Sequence, residues 1–463
     1  MSIASLTTSE KPEPTSSREI LPDEVYEQLL SQTSRARKSA PIRHLLHLES
    51  CPNMLSMLAG KPNPEVFPYV SLSMTVRSPN PAIDSSLNEI VIKDEDLSVA
   101  LQYGITSGVP ELVKWLTEFT CRIHGCQDDE GWRVSMGAGS QDLLYKAFSA
   151  LVDPGDAIFV ESPTYPGIIP LVHSLKCNII QIPSDAEGLN PSSMASMLEN
   201  WPEDKPLPKV LYTVPFGSNP TGTTTTLARR LEILRLARKY NFFIMEDDPY
   251  FHIYYGDFPR PSSYFALERK IDGPLGRVLR FDSFSKVLAG GLRLGWVTGP
   301  ERLIKAIDLH NATSIMCPSV ISQMMVYKLL QNWGIEGFLT HATHCADFYR
   351  QKRDIFEKYS QKHLTGLAEW ITPNASMFVW MKLRLPESAS AKTVKTVTEG
   401  EGGDSAAFLE HKALEGGVLL LPGECCYIDG KKGCQVRLSF SVLSEEEVDE
   451  ALGRLAKMLR SKD

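Results

Sequence analysis

Between about residues 100 and 330, short apolar runs alternate with longer stretches of helical period. Ala157-Ile158-Phe159-Val160, Val210-Leu211-Tyr212-Thr213-Val214, Phe242-Phe243-Ile244-Met245 and Val278-Leu279-Arg280-Phe281 read as strands. Between the second and third, Leu227, Leu231 and Leu234 fall on one helical face, leaving Arg229, Arg230 and Arg235 available for solvent. This alternation predicts an α/β fold with a mostly parallel sheet covered by helices on both faces, in which ligands collect at the carboxyl ends of strands. After about residue 335 the pattern changes to antiparallel-like segments such as Val436-Arg437-Leu438-Ser439-Phe440-Ser441, predicting a second, smaller domain.

At 463 residues and 43% hydrophobic content the chain can bury a large core and divide into two or three domains. The expected organisation is a flexible tail over 1–18, an N-terminal segment over 19–95, a large domain over 96–332 and a C-terminal small domain over 333–463. Glu387 to Asp404, rich in Ser, Ala, Lys, Thr and Gly, reads as a surface loop. The net charge of -8 is spread along the chain, which disfavours nucleic acid and anionic membranes and leaves small molecules as the expected ligands. Nine cysteines without paired CxxC spacing, and no apolar leader, point to reduced thiols in the cytoplasm. No apolar run approaches the length of a membrane span. His341, His344 and Cys345 come nearest to a metal cluster, but an ordinary surface helix explains them better, so no metal is expected.

Candidate chemistry centres on Lys286, in Ser283-Phe284-Ser285-Lys286, followed by Arg293 in Gly290-Gly291-Leu292-Arg293-Leu294-Gly295. A lysine amine can hold an aldehyde cofactor as a Schiff base, and the hydroxyls and guanidinium around it suit the phosphate of pyridoxal phosphate. Alone, the run also describes a surface loop. Asp247 and Tyr250 follow the third strand: an acid there can pair with a pyridine nitrogen, and the phenol three residues on can donate to the cofactor's phenolic oxygen, although Asp-Asp-Pro can equally cap a helix. Asn219, in Asn219-Pro220-Thr221-Gly222 after the second strand, offers an amide to the same oxygen or simply forms a turn. Gly139-Ser140-Gln141 opens a helix-like run over Asp142 to Val152, where free N–H groups can bind phosphate or only begin a helix. Tyr165 follows the first strand and can stack on a ring or merely pack. Arg437 can clamp a substrate carboxylate or form a structural ion pair.

As a set, in order and spacing, these segments together with Tyr103-Gly104 resemble the class I/II aminotransferases of pyridoxal phosphate fold type I, over residues from about 34 to 460. Arg37-Lys38-Ser39-Ala40-Pro41-Ile42-Arg43, Gly60-Lys61-Pro62-Asn63-Pro64, Leu101-Gln102-Tyr103-Gly104 and Arg437 to Ser441 are most similar to the aromatic and kynurenine/2-aminoadipate aminotransferase branch.

The resemblance implies a seven-stranded-type sheet, pyridoxal 5'-phosphate as cofactor, and amino-group transfer from an aromatic or related large L-amino acid to a 2-oxo acid such as 2-oxoglutarate. Lys286 would carry the cofactor and move the Cα proton, Asp247 would hold the pyridinium, and Asn219 and Tyr250 would contact the phenolic oxygen. Ser140, Gln141, Ser283, Ser285 and Arg293 would hold the phosphate, beside Gly139 and with Tyr165 on the ring; Arg437 would bind the α-carboxylate, with Gly60 near the substrate. The counterpart of Tyr103 reaches the neighbouring subunit's phosphate in these enzymes, implying a homodimer. Leu58 and Cys426 depart from the branch where a substrate side chain is expected, Ser39-Ala40 less consequentially. The alternative on the same scaffold is a lyase cleaving a C–S or other β-bond.

Overall fold

Glycine and apolar side chains build a main sheet whose strand ends carry the polar residues of interest. The computed structural model describes residues 19–45, 48–49, 51–385 and 403–461; the expected tail over 1–18 and most of the expected loop at 387–404 lie outside the described residues. Asp404 is described: it accepts from Ala407 N and so starts the helix Ser405–Gly416.

An antiparallel hairpin, Leu72–Arg77 (β1) with Leu87–Ile92 (β2), precedes the main sheet. The main sheet contains Trp132–Gly137 (β3), Ala157–Ser162 (β4), Asn178–Asp185 (β5), Gly188–Leu189 (β6), Val210–Thr213 (β7), Phe243–Asp247 (β8), Val278–Ser283 (β9) and Gly295–Pro300 (β10). Its order is β3-β10-β9-β8-β7-β4-β5-β6. The run from β9 to β5 is parallel; β10 is antiparallel to both its neighbours, and the two-residue β6 adds an eighth, antiparallel edge to the expected seven. The central strands are buried along their length, save Ser162 at the end of β4, as parallel strands covered on both faces must be. Ala368–Trp370 (β11), Phe378–Leu383 (β12), Leu421–Pro422 (β13) and Gln435–Ser439 (β14) form a separate antiparallel sheet in the order β11-β12-β14-β13. The helix Glu445–Arg460, opened by a capping box of Ser444 and Glu447, packs against the long helical segment Val320–Leu364.

One expectation fails in the helix Leu227–Tyr240. Its buried side contains Arg230, Ile233, Leu234 and Ala237, whereas Leu227 is exposed. Arg230 donates to the carbonyls of Thr225, Ser262 and Pro215 and lies 3.9 Å from the Phe216 ring centroid. With its donors met and its plane stacked, the guanidinium tolerates burial that apolar periodicity does not foresee. Arg229 instead pairs with Asp185, and Arg235 remains exposed.

Candidate active site

Five strands of the main sheet deliver side chains to one hollow. β3 runs into the helix Ser140–Leu151, β4 leads to Tyr165, β7 to Asn219, β8 ends on Asp247, and β9 ends on Ser283 just before Lys286. They line a cavity of about 360 Å³ containing Ser140, Gln141, Tyr165, Asn219, Asp247, Tyr250, Ser283, Ser285, Lys286, Arg293 and Arg437. All are sequence candidates. Phe378 from the antiparallel sheet, with Val214, Pro249 and Gly290, completes the wall.

Local geometry explains each placement. Ser283 caps the short 3-10 turn Phe284–Lys286 by accepting from Ser285 N at 3.1 Å, which presents Lys286 to the cavity. Arg293 takes a left-handed backbone, φ 52°, and reaches back over Gly139, where an added Cβ would fall 2.6 Å from Arg293 Nη2. Gly139 has φ 91°, a conformation that favours glycine, and it lies behind Arg293 without lining the cavity itself. The helix beginning at Ser140 turns its first N–H groups, which lack intrahelical partners, toward this end. Asp142 steadies the turn by accepting from Ala138 N at 3.1 Å and from the buried Lys146 amine at 2.7 Å. Gln141 Nε2 donates to Gly167 O, while its buried Oε1 has no hydrogen-bond partner among the described residues.

At the other end, Arg437 donates to Asn219 Oδ1 at 2.8 Å and sits 4.5 Å from the Phe378 ring centroid. Lys286 Nζ lies 5.9 Å from the Tyr250 ring centroid. Burial, helped by Arg293 and Arg437, pushes the Lys286 amine below its ordinary range, and Asp247 opposes that shift. Burial raises the Asp247 carboxyl to about 7, with Asp282 adding to the shift; a hydrogen bond from Tyr212 and the positive charge of Lys286 act against it. Tyr250 is also raised, first by burial and then by Asp247, so it remains a protonated donor. Beside Asp247, the buried Arg280 bonds Asp248 at 2.6 Å and Asp282 at 2.8 Å, with Glu246 at 3.5 Å, so one positive charge is shared among three of the four clustered carboxylates.

Gly60 and Tyr103 do not join the cavity. Gly60 has open space around its Cα, and Tyr103 is 60% exposed. Cys426 is fully buried, its carbonyl accepting from Thr164 N, and Leu58 is half-buried; neither lines the hollow. His341 bonds the Val287 carbonyl through Nε2 at 2.7 Å, behind the lysine turn. Tyr212, whose hydroxyl meets Asp247 Oδ2 at 2.7 Å, escaped the sequence reading because it sits inside an apolar strand and looks like core.

Residues 87–455 match the model of a family described as aminotransferase class I and II. The chain is 40% identical over 450 residues to a mitochondrial kynurenine/alpha-aminoadipate aminotransferase of Mus musculus, covering 94% of this chain and 99% of the relative. It is 39% identical over 430 residues to the aminotransferase tdiD of Emericella nidulans, covering 92% and 94% respectively. Among solved structures, the aminotransferase Aro8 from Candida albicans superposes with a TM-score of 0.82 at 25% identity, over 96% of this chain and 99% of that one.

Proposed function

Because the chain belongs to the class I and II aminotransferases, we propose that the cavity around Lys286 moves an amino group from an aromatic or similarly large L-amino acid to a 2-oxo acid such as 2-oxoglutarate. The observation that carries this reading is one hollow holding an amine, a carboxylate and a guanidinium: Lys286, Asp247 and Arg437.

The residues fit pyridoxal phosphate. The buried Asp247 Oδ1 has no partner among the described residues and suits a ring N–H, while Ser140, Ser283, Ser285, Arg293 and the helix start suit a phosphate. Asn219 and Tyr250 would hold the ring's phenolic oxygen, and Tyr165 would cover its face. Bound there, the cofactor supplies a ring that accepts the charge left when substrate Cα loses its proton. Arg437 holds the substrate carboxylate by two parallel N–H donors, and Asn219 fixes that guanidinium. Lys286 Nζ, its proton affinity lowered by burial, takes the proton from Cα and returns it on the far side of the transfer. With Tyr165 and Tyr250 serving the cofactor, Phe378 beside Arg437 is the aromatic wall left to meet the donor side chain.

The lyase alternative is not favoured, since the similar proteins are named aminotransferases. Purified enzyme given aromatic donors with 2-oxoglutarate should yield the matching 2-oxo acid and glutamate without free ammonia. Ammonia released with no acceptor present would overturn the reading.

A homodimer is part of the proposal. Leu55 (93% exposed), Met57 (100%), Val70 (86%) and Ile83 (85%) leave a large apolar surface on the N-terminal segment, which a second copy would cover. Tyr103 lies beyond that stretch, exposed and outside its own cavity, and would serve the phosphate of the other copy. Light scattering should give twice the monomer mass. A cytoplasmic location is also proposed, on nine free cysteines, although the mouse relative is named mitochondrial; cell fractionation decides it. Among the described residues no helix is long and apolar enough to cross a membrane.

A further inference from the structure

We propose that Tyr212 is a positioning residue: its buried hydroxyl orients the Asp247 carboxylate and keeps it charged toward the cofactor's ring nitrogen. The inference rests on the role given to Asp247 above. Tyr212 lies on β7 opposite Met245 of β8, and Asp247 is two residues further along, so both side chains emerge on the same face of the sheet. The hydroxyl donates to Oδ2 at 2.7 Å between two groups that are almost wholly buried. Oδ1, the other oxygen, is buried without a partner among the described residues, and Asp247 lines the cavity. One oxygen is therefore tethered and the other is left for an incoming donor.

The tether is rigid. Tyr212 is held in a strand buried on every residue, and its ring packs 6.0 Å from that of Phe148 on the helix that begins at Ser140. Burial and the neighbouring carboxylate keep the phenol protonated well above its ordinary range, so it acts only as a donor toward Asp247. The remaining charged groups facing Asp247 pull in opposite directions, Asp282 from β9 raising its proton affinity and Lys286 lowering it. The hydroxyl is the one hydrogen-bond donor that Asp247's carboxylate has among the described residues. Without it, a proton shared between ring and carboxyl moves toward the carboxyl, and the ring loses its positive charge.

The test compares binding of pyridoxal phosphate with that of its 1-deaza analogue, in which carbon replaces the ring nitrogen, to cofactor-stripped full-length protein. An ionised Asp247 favours the nitrogen-bearing ring, and Tyr212→Phe should reduce that preference by about ten- to a hundredfold, the range for losing a hydrogen bond to a buried charge. A hydroxyl that served only the fold would weaken both ligands alike, so an unchanged preference overturns the inference. Tyr212→3-fluorotyrosine keeps the ring and strengthens the donor; its preference should exceed that of the wild type, and a lower one contradicts the proposal. Asp247→Asn separates the two layers. If that variant loses the preference while Tyr212→Phe keeps it, Tyr212 alone has been misassigned; if both keep it, the role of Asp247 falls too.

Discussion

Replacing Asp247 by Asn removes one charge and almost no volume, which makes it the sharpest perturbation of this site. The Tyr212 hydroxyl can still donate to the amide oxygen, so the side chain should stay in place. What is lost is a buried anion facing a ring cation. At a contact distance of about 2.8 Å and an effective dielectric near 20, that attraction is about 6 kcal/mol. Part of it is recovered by the amide dipole, leaving an expected loss of roughly 3–5 kcal/mol in the charge-separated transition state, or about 10²–10⁴ in kcat. Single-turnover kinetics with an aromatic donor, following the cofactor's absorbance, reads the step directly. Cofactor should remain bound through Lys286 and the phosphate contacts. A rate within tenfold of wild type, with cofactor bound, would refute the assignment.

Two further outcomes follow from the same geometry. In cofactor-free protein the Asp247 carboxyl is held up at about 7 against an ordinary 3.8, so the folded state keeps a proton that the unfolded chain has released. Stability from this group is complete below about pH 4 and is lost as pH rises through about 7, by roughly 4 kcal/mol at most. Thermal melts of cofactor-free wild type and Asp247→Asn should therefore diverge in favour of the variant between about pH 4 and 7; parallel curves there would contradict this. The buried Asp248 and Asp282 are raised in the same window, and the comparison cancels their share. Arg437→Gln should raise KM for both donor and acceptor about a hundredfold, since both carry the carboxylate. It should also erase discrimination against the matching decarboxylated amine in a competition assay, and retained discrimination would place the carboxylate elsewhere.

The four central strands were legible because burial on both faces writes a continuous apolar run, as in Val210 to Thr213. β10 was not: Gly295, Gly299 and Pro300 look like a turn. The structure gives the reason, since an added Cβ at Gly299 would lie 2.5 Å from Leu279 and one at Gly295 would lie 2.7 Å from Ser140 N. Glycine there permits close approach between strands and at the helix start. β3 was hidden for another reason: Arg133 and Ser135, which both bond Asp308, alternate with Trp132, Val134 and Met136, so the strand lacks the continuous apolar run that marked the central ones. In the cavity, residues that follow strands stood out because polar groups there interrupt apolar runs. Phe378 and Tyr212 did not, as aromatic residues in strands read as core. Arg230 shows the converse, a charge whose three carbonyl partners appear only when the chain folds.

The central claim is that Lys286 bears the cofactor. Reducing the holoenzyme with borohydride and cleaving it at arginine should give a single peptide, Phe281–Arg293, heavier by the mass of the reduced cofactor at Lys286. Recovery of that peptide unmodified from protein shown to be saturated with pyridoxal phosphate, or the added mass on another lysine, would contradict the account.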